Sequence, residues 1–133
     1  MAALDTNVLV RYLVEDEAAQ SAAARRLIRS AVRTNEALFV PVTVMLELEW
    51  VLRSSFGFTK PDVVLALSQL LSSVELSFGS EAALEVALAL YQRSAADFSD
   101  CVHVALAHSA DQCPLWTFDK VASKVDGAKL LTA

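Results

Sequence analysis

Five acids in this chain stand where an acid needs a reason. Asp5 follows the short apolar start Ala2-Ala3-Leu4 and precedes Thr6, Asn7 and an apolar-periodic stretch from Val8 to Val14. That order reads as a strand handing over to a helix, and ligands of open α/β sheets bind beyond the carboxyl ends of strands. Asp119 repeats the placement after Leu115-Trp116-Thr117-Phe118. Glu47 has Val44 at i−3, Trp50 at i+3 and Val51 at i+4. It therefore projects from what reads as the apolar stripe of its helix, where a carboxylate is rarely left unpartnered. Asp97 and Asp100, three apart at a helix start, can face one way, and Asp100 borders the buried side with His103 and Val104 one turn on. Each strand-end or helix-start acid also has a plainer reading, as the cap of the helix it precedes.

The set as a whole suggests chemistry that its members singly do not. A parallel sheet brings strand ends to one edge, and two carboxylates about 5 Å apart repel by about 3 kcal/mol at an effective dielectric near 20. Protons or a hard divalent cation would have to neutralise such a cluster. Oxygen-only ligands suit Mg²⁺ or Mn²⁺, and a carboxylate-held ion with waters left over serves phosphoryl transfer. Thr6 and Asn7 are placed to hydrogen-bond the turn beside Asp5. By contrast, Glu49 has Arg53 four residues on and reads as an ordinary surface pair. Arg25, Arg26, Arg29 and Arg33 recur at helical spacing, which by itself reads as a solvated face. Cys101 reads as a small core residue. Cys101, His103, His108 and Cys113 do not have zinc-ligand spacing.

The elements that would position these residues alternate in type. Helices are expected over Asn7–Leu13, from Glu15-Asp16-Glu17 to about Arg33, and over Val44–Ser55 with Thr43 as cap and Gly57 as stop. Further helices are expected over Val63–Leu71 behind Thr59-Lys60-Pro61-Asp62, Ala82 to about Ser94, Asp97 to about Ser109, and Lys120–Lys124. Strands are expected at Ala2–Leu4, Ala37–Val40, Val74–Leu76, Pro114–Thr117 and Ala128–Leu131. The alternation predicts an α/β fold, a three-layer α/β/α sandwich around a central parallel sheet of four to five strands.

The chain has 133 residues, 55% of them hydrophobic, 20% charged, and a net charge of −5. That length predicts one domain over residues 1–133 with a real core. The negative balance argues against a broad nucleic-acid surface but leaves room for a small one. No apolar run approaches about 18 residues, and Asp5 and Arg11 interrupt the apolar start, so neither a membrane span nor a leader is expected and the chain reads as cytoplasmic.

Four stretches in order, Leu4-Asp5-Thr6-Asn7-Val8-Leu9, Glu47-Leu48-Glu49-Trp50-Val51-Leu52-Arg53, Asp97-Phe98-Ser99-Asp100 and Thr117-Phe118-Asp119, resemble the signature of PIN-domain ribonucleases. The closest likeness is to VapC toxins of bacterial toxin–antitoxin pairs. The resemblance implies a homodimeric Mg²⁺- or Mn²⁺-dependent endoribonuclease whose site is occluded by a small VapB-like antitoxin. It implies Asp5, Glu47 and Asp100 as core acids, Asp119 as a fourth, Asp97 as an extra one, and Thr6 and Asn7 as site-ordering residues. Asp5 and Asp100 would hold the metal directly, while Glu47, Asp97 and Asp119 bind it or orient its waters. Arg25, Arg26 or Arg53 could hold flanking phosphates, and His103 reads as a packed or hydrogen-bonded helix residue rather than a general base. Two other classes fit less well. A phosphoacceptor receiver wants adjacent acids after its first strand and an acceptor Asp after its third, and no Asp lies between Asp62 and Asp97. A catalytically weak RNA-binding module of the same fold is at odds with the intact acid set. RNA and DNA as substrates are separated only by the resemblance.

Overall fold

The structure, a computed structural model, describes residues 2–133. The chain forms two compact units, one ending at Gly79 and the other running Ser80–Ala133.

In the first unit, helix α1 (Thr6–Leu13) starts where Asp5 accepts a hydrogen bond from the Thr6 amide. Helix α2 (Ala18–Thr34) starts where the Glu17 side chain accepts from the Gln20 amide, and ends at Asn35 in the left-handed region. Strand β1 (Leu38–Val40) leads through Pro41 into α3 (Val42–Phe56), which stops at Gly57, φ +67°. A proline at the cap position ends the strand and begins the helix together, so α3 starts two residues before Val44 and Thr43 lies inside it rather than capping it. Helix α4 (Lys60–Leu71) opens with a full capping box between Thr59 and Asp62. Strand β2 (Leu76–Phe78) lies two residues beyond the expected Val74–Leu76. The reason is local: backbone bonds from Ser72, Ser73 and Leu76 carry the turn after α4 through Val74, which is exposed. Leu9, Ile28, Met45, Leu48, Leu52 and Leu67 are fully buried in this unit.

In the second unit, α5 (Glu81–Arg93) and α6 (Phe98–Ser109) pack together, with the rings of Tyr91 and Phe98 5.3 Å apart. Strand β3 (Leu115–Thr117), a single 3₁₀ turn (Ala122–Lys124) and strand β4 (Ala128–Leu130) complete it. The expected helix over Lys120–Lys124 is that 3₁₀ turn.

The α/β class and the parallel pairing are as expected, but the sheet is not. Among the described residues, β1 pairs with β2 and β3 with β4, each as a two-stranded parallel ladder. The expected first strand contributes one bridge, Ala3 to Phe39, with Leu4 and Phe39 amides donating to Phe39 and Ala2 carbonyls. The strands are three residues long, so ladders stay short where a continuous sheet of four to five strands was expected. No helix among the described residues is long and apolar enough to cross a membrane.

Gly127 is the backbone position with least freedom to change. Its φ is +101°, and a Cβ there would lie 2.9 Å from Val104 Cγ1 of α6. Both the conformation and the contact oppose a side chain. Gly127→Ala should destabilise the chain by about 1–3 kcal/mol, read as a lowered urea midpoint; an unchanged midpoint would mean that Val104 and the loop yield freely.

Candidate functional site

Asp5, Thr6, Asn7 and Glu47 line one cavity of the first unit, about 360 Å³ in volume, together with Arg11 and the end of α3. Thr6 organises it. Its amide donates to Asp5 Oδ1 at 2.7 Å, and its hydroxyl donates to Glu47 Oε1. Thr6 is itself only 5% exposed, so both bonds satisfy polar groups that folding has taken out of water. One buried threonine thus ties the N-cap of α1 to the carboxylate on α3. The capping and the functional readings of Asp5 coexist, because the bond uses one of its two oxygens and the residue remains exposed.

The two glutamates of α3 exchange the environments expected of them. Glu47 is exposed, and Glu49 is 3% exposed with its carboxylate on the Arg53 guanidinium. The buried stripe runs through Val44, Met45, Leu48 and Leu52, with Trp50 59% exposed on the other side. Glu47 therefore faces the cavity from the wet side of its helix, not from the apolar stripe. Arg53 holds the buried Glu49 carboxylate through its guanidinium. Arg25 pairs with Glu15 on the surface, and Arg26 is exposed on the same helix.

Arg11 is the cation that sequence reasoning passed over. It lines the cavity with Asp5 and also a neighbouring one of about 480 Å³ between α1 and α2. Its guanidinium is oriented by Gln20 Oε1 at 2.7 Å and Asp16 Oδ1 at 3.2 Å. The signal was its position four residues after Asn7, which puts both on one face of α1.

In the second unit, Asp97 is the N-cap of α6 but its side chain makes no capping bond. Asp100 lies in the first turn of α6, half-buried, and its carboxyl is pushed above the ordinary aspartate range. Burial is the largest cause, followed by the charges of Asp97 and Asp119; the exposed His103 pulls the other way. His103 is exposed, so of the packed or hydrogen-bonded helix residue expected here the packed form is not the one observed. Asp119 accepts from the Val121 and Ala122 amides at 2.8 and 3.0 Å through one oxygen, and its own amide donates to Thr117 Oγ1 at 3.0 Å. Like Asp5 it caps a helical turn and keeps a second oxygen. Cys101 is buried as expected.

Among the described residues no three His, Cys, Asp or Glu side chains close up as a ready-made metal cluster. The donor chemistry nonetheless fits a hard cation. The acids offer oxygen alone, and mutual repulsion at Asp100 is what a divalent ion relieves.

A family model described as PIN domain matches residues 2–128. No curated protein matches the chain.

A carboxyl raised on folding favours its protonated form. Its favourable contribution is therefore complete below the unfolded aspartate pKa and is lost as pH rises through the raised value. Asp100→Asn should accordingly raise the melting temperature of the metal-free chain at about pH 7, with the gain over the parent vanishing by about pH 3. A variant no more stable than the parent at neutral pH would show that Asp97 and Asp119 do not burden this position.

Proposed function

The chain belongs to the PIN domain family, and from that membership we propose a Mg²⁺- or Mn²⁺-dependent endoribonuclease, the toxin of a VapBC-type pair. PIN domains are in general metal-dependent nucleases, and PIN-domain nucleases bind RNA and often partner with antitoxins. The family match runs through both units, which supports reading residues 1–133 as one PIN domain. The observation that carries the proposal is the charge crowding on Asp100, an acid raised by burial and by Asp97 and Asp119. A stable fold has no need of that repulsion, whereas a cation-binding protein does.

Asp5 and Asp100 are the proposed direct ligands, with Glu47, Asp97 and Asp119 binding the ion or orienting its waters. What such an ion supplies is a more acidic water for in-line attack and neutralisation of charge on the phosphoryl and departing 3′ oxygens. Around it the side chains act by placement. Thr6 fixes the Glu47 carboxylate through its hydroxyl. Asn7 offers an exposed amide on the cavity wall, and Arg11 brings a positive charge to a rim otherwise acidic. Asp5 and Asp119 each keep one oxygen outside their capping bonds. The products would carry 5′-phosphate and 3′-hydroxyl ends. Bound cation also answers the net charge of −5, since it makes an acidic pocket acceptable to a phosphodiester. The proposed setting is cytoplasmic, as a homodimer held in check by a VapB-like antitoxin.

Asp5→Ala should remain folded and lose RNA cleavage by about a hundredfold or more; gel assay of a uniform RNA, with circular dichroism as the folding control, reads both. Cleavage by this variant at the parental rate would remove Asp5 from the chemistry. Separately, activity should vanish in a chelator and return with Mg²⁺ or Mn²⁺, and cutting that persists in the chelator would end the metal scheme.

A further inference from the structure

Helix α2 departs from the charge balance of the chain around it. Its residues Ala18–Thr34 include four arginines and no acid, in a chain with 16 acids against 11 lysines and arginines. Arg25 is paired with Glu15. Arg26, Arg29 and Arg33 are exposed, and among the described residues no hydrogen bond or ion pair engages their guanidinium groups. At about 100° per residue the three fall within about 60° of arc and spread over about 10 Å of helix. A solvated helix face ordinarily mixes both signs, and like charges three or four apart repel. The row is therefore a cost to the helix that an anion would remove. It also borders a path to the acids. The cavity between α1 and α2 is walled by Ala23 and Leu27 of α2 and by Asn7 and Arg11 of α1. Asn7 and Arg11 line the cavity of Asp5 and Glu47 as well, and Ala23 is the helical neighbour three residues before Arg26.

We propose that Arg26, Arg29 and Arg33 form an exosite for the phosphate backbone of RNA, a surface of α2 outside the acidic cavity that holds long substrates without touching the bond to be cut. The inference rests on the nuclease reading and adds to it a second surface of opposite sign. Three observations favour a phosphate backbone over an acidic protein as the occupant. The row has no apolar centre of the kind a protein contact is built around: Ala22 and Ser30 share its face, while the exposed Leu27 and Val32 stand about 100° or more around the helix from Arg26. The cations are all arginines, whose planar forks match phosphate oxygens two at a time. In a chain of net charge −5, a polyanion that must reach an acidic cavity needs a neighbouring face that attracts it, and α2 supplies one beside the groove that leads there.

The test is binding of a fluorescein-labelled RNA of mixed sequence to the full chain, titrated over a range of NaCl concentrations. It is run in the Asp100→Asn background so that cutting does not consume the probe, with circular dichroism as the folding control. Arg26→Gln, Arg29→Gln and Arg33→Gln together keep good helix formers at all three positions and remove their charges. The slope of log affinity against log salt should become shallower by about 2, with affinity down about tenfold or more at low salt. The same three positions changed to lysine should keep the slope, because the charges remain. Arg25→Gln, which removes a cation already paired, should move it by less than about 0.5. Lys120→Gln, Lys124→Gln and Lys129→Gln together make an equal change of net charge in the other unit and should also move it by less than about 0.5. An equal loss from the lysine-to-glutamine and arginine-to-glutamine triples overturns the exosite, since net charge alone would then be at work. So does a slope lost with lysine at the three α2 positions, and so does unchanged RNA affinity with an altered oligomeric mass, which would make the row a protein contact. If the arginine-to-glutamine triple binds like its parent while the unmutated chain cuts RNA in Mg²⁺, the exosite falls and the nuclease reading stands. If the unmutated chain neither binds nor cuts RNA, both fall.

Discussion

A negative side chain at the amino end of a helical turn is the interaction on which most of this structure depends. Backbone amides at a helix start lack partners and carry partial positive charge. Asp5 meets that need at α1, and Asp119 does so at the 3₁₀ turn. Asp97 occupies the cap position of α6 and Asp100 its first turn. Four of the five acids proposed for catalysis are therefore placed where the fold itself favours a carboxylate. Capping and catalysis compete less than they seem to on paper, because an amide engages one oxygen and leaves the other. Local folding thus sets carboxylates at the starts of helical turns, where the proposed metal-dependent chemistry would find them already in place.

Asp100 shows the limit of that favour. A helix amino end stabilises the ionised form, yet the carboxyl is raised, so burial and the two neighbouring aspartates outweigh it. Asp100, whose carboxyl is raised by burial and then by its acidic neighbours, is one of the two residues proposed to hold a cation directly. Function and stability pull apart at such a position: neutralising the side chain relieves the fold and removes the ligand. Glu47 stands outside this pattern, in mid-helix, where no helix-end amides reach it. Thr6 takes their place, which explains why a threonine rather than an apolar residue is buried at the start of α1.

Helix starts were legible because caps are local. Thr59-Lys60-Pro61-Asp62 before α4 and Gly57 after α3 are signals read from a few residues, although α4 begins at Lys60, three residues before the expected Val63, and α3 at Val42 rather than Val44. Sheet extent was not local and was misjudged: apolar runs at Ala2–Leu4 and Val74–Leu76 have strand composition, but caps and turns take up their ends. The α3 glutamates mark a subtler failure. Counting Trp50 as a core residue rotated the inferred stripe by about one residue, or ~100° around the helix, and exchanged Glu47 with Glu49. Trp50 is large and apolar, but more than half of it is in water. The choice of motif acids did not rest on that reading, because the resemblance placed them by order and spacing, independently of which side was thought buried.

The same error hid what Glu49 does. A carboxylate taken almost wholly out of water needs a cation and hydrogen bonds together, and Arg53 supplies both through its fork. An arginine so engaged is costly to redirect towards a phosphate, and Arg25 is likewise paired with Glu15. Arg11 of α1, oriented by Asp16 and Gln20, differs from Arg25 and Arg53 in lining two cavities, one of them shared with Asp5 and Glu47. Its distinction is geometric rather than compositional. A row of like charges on α2 stands out in a sequence, but a single arginine one turn beyond Asn7 gains its meaning only once α1 is folded against α2 and α3.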